Sequence, residues 1–79
     1  MKEFQATFDL YDKLSFFHFW EVVNSRERKF FVQAKLGSGP TESFEIKQKG
    51  SYAWAIMDPV PDWVLALHQK LFRVIADNS

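Results

Sequence analysis

Between Phe4 and Leu10 every second residue is apolar, with Phe4, Ala6, Phe8 and Leu10 on one side and Gln5, Thr7 and Asp9 on the other. Successive side chains of an extended backbone point to opposite sides, so this alternation is the mark of a strand with one buried face. The pattern returns over residues 29–36, where Phe30, Val32, Ala34 and Leu36 oppose Lys29, Phe31, Gln33 and Lys35. It returns again over 43–49, where Phe44 and Ile46 oppose Glu45, Lys47 and Lys49. The clusters "NSRER" and "GSGPTE" between these runs are rich in turn-forming residues. Repeated alternation broken by turns predicts an antiparallel meander. "YAWAI", Tyr52 to Ile56, is either a fifth short strand or the approach to a helix.

The C-terminal segment has another period. At 100° per residue Trp63, Val64, Leu67, Leu71, Val74 and Ile75 share one face, opposite Gln69, Lys70, Arg73 and Asp77, which predicts an amphipathic helix. Asp58 followed by Pro59 offers an N-cap and a first-turn proline, while Pro61 disfavours helical angles at Val60 and moves the start towards residue 61. The expected fold is α+β: an antiparallel β-meander of four or five strands with one C-terminal amphipathic helix packed on one face. At 79 residues the expected organisation is one domain, 1–79, because two cores of half that length would be hard to stabilise. Nine Phe, three Trp and two Tyr supply core material for so short a chain.

The stretch "KLSFFHFWEVV", residues 13–23, is apolar on both sides. A helix would scatter its apolar residues around most of the circumference, so a strand is the better reading, with Leu14, Phe16, His18, Trp20 and Val22 on one side and Ser15, Phe17, Phe19, Glu21 and Val23 on the other. A single helix covers only one side of a sheet. If the even positions pack beneath it, the outer face carries Phe17, Phe19 and Phe31 among Lys29, Gln33, Lys35, Lys47 and Lys49. The alternative is an N-terminal region folded across the sheet to bury these rings. On the helix, Leu65 and Phe72 lie beyond the main stripe and form a second surplus apolar surface, unless the segment "SYAWAIMDPVPD" wraps over them.

An apolar surface left over in this way marks an interface, and the expected partner is a protein or a second copy of the chain, most simply in a homodimer. The alternative is single-stranded nucleic acid, whose bases stack on aromatic rings while lysines neutralise phosphates. Four strands and a helix in this order are similar to PUR-repeat and Whirly-type single-strand-binding proteins, a resemblance of topology that implies the same use of the sheet face. Charge speaks for the protein partner. Ten basic and ten acidic side chains cancel, although residues 25–50 alone carry six basic and three acidic ones.

Chemistry has little to build on. The sequence has no cysteine, no phosphate-cradling glycine loop, no zinc spacing and no flagged nucleophile, so no catalytic residue, metal or cofactor is expected. "LGSGPTES", 36–43, lacks the spacing of a phosphate loop and reads as a connector, and "VNSRERK", 23–29, as a solvated hairpin tip. His18 and His68 both fall within apolar faces and are expected as core residues that approach one another if the helix crosses the second strand. Trp20, Trp54 and Trp63 are expected in the core. No apolar run suffices to cross a bilayer, and charges near the start replace the apolar stretch of a signal peptide. The expectation is a soluble, cytoplasmic protein with no membrane partner.

Overall fold

The computed structural model describes residues 2–23, 26–50 and 53–78. Five strands, β1 (Glu3–Leu10), β2 (Lys13–Glu21), β3 (Lys29–Leu36), β4 (Thr41–Lys49) and β5 (Ala53–Ile56), precede the helices α1 (Asp62–Ala66) and α2 (His68–Asp77). The strands form one antiparallel sheet in the order β1-β2-β3-β4-β5. This is the predicted α+β meander, with "AWAI" as its fifth strand. Tyr52 and the Asn24–Ser25 part of the predicted hairpin tip lie outside the described residues.

Loop length decides which side chains face the helices. In an antiparallel pair the numbers of facing residues have a constant sum, so an even number of connecting residues pairs even positions with odd ones. β1 and β2 are joined by only Tyr11 and Asp12, with Leu10 facing Lys13. Both joining residues have positive φ, 54° and 58°, the geometry of a two-residue type I′ turn. The β2–β3 connection is also even, since Glu21 faces Phe30. Those joining β3 to β4 and β4 to β5 are odd, with Lys35 facing Thr41 and Lys49 facing Ala53. The inner face is therefore even in β1, β3, β4 and β5 but odd in β2.

This inversion corrects the expected placement of two phenylalanines. Phe17 and Phe19 are 2% and 0% exposed and belong to the core with Phe30, Val32, Ala34, Phe44 and Ile46. Phe19 stacks on Phe4 of β1, with ring centroids 4.8 Å apart, and Phe17 meets Phe8 at 5.9 Å and Trp63 of α1 at 5.8 Å. The N-terminal residues do not fold across the sheet; they extend it as an edge strand whose Phe4 and Phe8 help enclose these rings. Ser15, the one polar residue fully buried among the described residues, donates its hydroxyl to Phe8 O at 2.6 Å.

The helices seal the inner face with Val64, Leu67, Leu71 and Ile75. Helix α1 follows the extended Pro61 (ψ 156°), in keeping with the expected delay. Asp58 is not the N-cap: its carboxylate accepts the Glu45 amide at 2.8 Å and ties the segment after β5 to β4. The helical segment is broken at Leu67, whose amide bonds Val64 O three residues back, while His68 Nδ1 donates to Leu65 O at 2.7 Å. Around the rim Arg28 lies over the rings of Phe30 and Trp54 at 5.6 and 5.9 Å, and Lys2 donates to Asn78 O just past α2 at 2.8 Å. Trp54 and Trp63 pack against the core as expected, but Trp20 does not.

Candidate interaction face

With Phe17 and Phe19 turned inward, β2 presents Leu14, Phe16, His18 and Trp20 on the opposite side of the sheet. Register arranges that outer face in rows across the strands. Thr7, Phe16, Lys35 and Thr41 make one row, and Gln5, His18, Gln33 and Ser43 the next. Glu3, Trp20, Phe31 and Glu45 make a third. Neither helix lies on this side.

Phe16 is 47% exposed and Leu14, near the turn end of the same strand, 42%, large values for apolar side chains on a strand flanked by others on both sides. A shallow depression of about 180 Å³ opens beside Phe16 and His18, flanked by Gln5, Thr7, Gln33 and Lys35. Towards the next row the aromatics are fixed. The His18 ring stacks on Trp20 with centroids 3.8 Å apart and planes 8° from parallel, and Trp20 meets Phe31 at 5.8 Å. His18 Nε2 lies 2.5 Å from Glu3 Oε2 and Nδ1 lies 3.4 Å from Gln5 Nε2. With the carboxylate and the amide NH₂ as partners, Nε2 donates and Nδ1 accepts. Held on two sides, the imidazole is a rigid support for the indole.

Charge on this face is sorted by strand. The outer side of β1 carries Glu3 and Asp9 and no base, whereas β3 and β4 carry Lys29, Lys35, Lys47 and Lys49 against the single acid Glu45. Part of the basic set is neutralised within the chain. Lys29 pairs with Glu45 at 3.5 Å and Lys47 with Glu27. The Lys47 hydrogen bond, with the charges of Lys47, Lys49 and Lys29, holds the Glu27 carboxyl below its ordinary value against an opposing desolvation. Asp9 and Lys35 are exposed and form no ion pair among the described residues.

Of the residues expected at an interface, Phe31, Lys29, Lys35, Lys47 and Lys49 share this face. Phe17 and Phe19 are enclosed in the core and unable to meet a partner. Leu65 and Phe72 sit on the helices, on the far side of the sheet. Leu65 remains 48% exposed, so the segment before α1 does not cover it, and Phe72 packs partly against the core. Neither His18 nor His68 is the core residue expected, and they do not approach one another: His18 lies on the outer face and His68 is exposed on the helical side. The residues missed were Leu14, Phe16, His18 and Trp20. Their signal was the two-residue gap between the alternating run ending at Leu10 and the apolar run starting at Lys13, since an even gap inverts parity.

Among the described residues no group of three or more His, Cys, Asp or Glu is placed to hold a metal ion. None of their helices is long and apolar enough to cross a membrane. Comparison with models of known families, with curated proteins and with solved structures gave no match.

Proposed function

We propose that this chain is a small, non-catalytic interaction module that docks a protein through its helix-free sheet face, with Phe16 and Leu14 as the apolar contacts and the Trp20–Phe31 pair as a rigid neighbour. The observation that carries the reading is Phe16, 47% exposed on β2, an interior strand of the five-stranded sheet. Aromatic anchors ringed by polar side chains are the composition of a recognition surface, and rings already fixed in place lose little freedom on binding. The ion pairs that occupy Lys29 and Lys47 weaken the alternative, single-stranded nucleic acid, which needs cations free to meet phosphates.

The test compares the chain with its Phe16→Ser variant, using circular dichroism for the fold and immobilised protein for partner capture. Retained fold with lost capture is the expected result; unchanged capture overturns the reading. An unstructured oligonucleotide titrated at two salt concentrations examines the alternative, which requires tight binding that weakens by about 0.7 logarithmic units per neutralised phosphate for each tenfold rise in salt.

A further inference from the structure

Resting on the surface reading above, we infer that the occupant of this face is a second copy of the same chain, related by a two-fold axis that runs parallel to β2. The charge pattern carries the inference. Acids lie on β1, to one side of the apolar line Leu14–Phe16, and bases lie on β3 and β4, to the other. A surface with opposite signs on either side of an apolar line is complementary to itself under one rotation only.

Two sheets packed face to face have their two-fold axis in the plane between them. If the axis follows β2, β1 of one copy falls over β3 of the other, the Leu14–Phe16 lines meet along the axis, and acid faces base twice. Thr7 of one copy then lies level with Lys35 of its partner copy, and Asp9 is one pleat away, about 7 Å along the strand and within the sweep of a lysine side chain. Glu3 and Lys29 stand in the same relation at the other end. An axis across the strands instead places β1 over β1, acid on acid. Edge-to-edge antiparallel pairing through β1, centred on Ala6, also sets Glu3 beside Asp9 of the other copy, and like charges across such a pair are destabilising. About this axis only β1, β2 and β3 overlap their counterparts, three strands of about 4.8 Å spacing and about eight residues of about 3.3 Å rise. That is roughly 380 Å² before side-chain relief, about half of the roughly 800 Å² per partner of a standard interface, so the pairing is a weak one.

Asp9 and Lys35 provide the test, because they are exposed and make no ion pair within the chain among the described residues. Sedimentation equilibrium on the wild type, Asp9→Lys, Lys35→Asp, the double charge swap and Phe16→Ser separates the possibilities. The expected result is a wild-type dimer that each single swap weakens about tenfold, since two symmetry-related pairs turn repulsive. The double swap restores the dimer, and the single-swap losses shrink in about 0.5 M salt. Phe16→Ser abolishes association. A wild-type chain monomeric up to about 100 µM, a binding energy of only about −5.5 kcal/mol, overturns the second-copy inference while partner capture still decides the surface reading. A double swap no better than either single one overturns the axis. A dimer that survives Phe16→Ser overturns both the inference and the surface reading.

Discussion

Truncating Phe16 and Phe17 to alanine puts neighbouring residues of identical type on opposite sides of one strand, and the register predicts very different costs. Phe17 is 2% exposed and meets Phe8, Phe19 and Trp63 with ring centroids within 6.4 Å. Removing such a ring loses its transfer free energy and leaves a cavity, about 3–5 kcal/mol. Phe16 keeps 47% of its surface in water. Half of the roughly 1.5–3 kcal/mol gained by burying a Phe is about 1 kcal/mol, with no enclosed cavity to add. A chain of 79 residues has a total stability of about 4–12 kcal/mol, so Phe17→Ala removes a large share of it and Phe16→Ala a small one. Urea denaturation followed by tryptophan fluorescence measures both, and Phe17→Leu, at a smaller cost, supplies the comparison if Phe17→Ala does not fold. Equal losses at the two positions, or a larger loss at 16, would refute the inverted parity of β2 and every surface assignment that follows from it.

Replacing Tyr11-Asp12 by Asn-Gly should stabilise the fold by about 1 kcal/mol, because both positions have positive φ and a bulky residue is disfavoured there; a gain of roughly 4–8 °C in thermal midpoint checks this. Ser15→Ala should cost about 1–2 kcal/mol in the same urea assay, as it strands the Phe8 carbonyl that the hydroxyl now satisfies at 2.6 Å. Gly37, with φ of 57°, should lose about 1 kcal/mol on change to Ala, read as a lower urea midpoint. Glu27 has its carboxyl lowered from 4.5, chiefly by the Lys47 hydrogen bond, so its contribution is present above that value and fades as pH falls through the folded value. Glu27→Gln should therefore slightly flatten the acid limb of a stability–pH curve, a small effect because the group is exposed to solvent.

Much of this architecture follows from the sequence by itself. Period-two runs over 4–10, 29–36 and 43–49 and a period near 3.6 after Pro61 are local signals, and they became β1, β3, β4 and the helical segment because each carries its own apolar face. The doubly apolar 13–23 run was also legible as a strand, but not its orientation. With apolar residues on both sides, hydrophobicity could not choose between Phe16 and Phe17; the count of residues in the β1–β2 and β2–β3 connections chose, through register. Capping was undecided for a similar reason, since Asp58 has the chemistry of an N-cap but finds the Glu45 amide only once β4 lies beside it. Net charge was readable from composition alone, whereas its sorting into an acidic β1 and basic β3 and β4 on one face exists only after folding. Side-chain direction along a strand is a local property; which direction faces solvent depends on strands brought together from far apart in the chain.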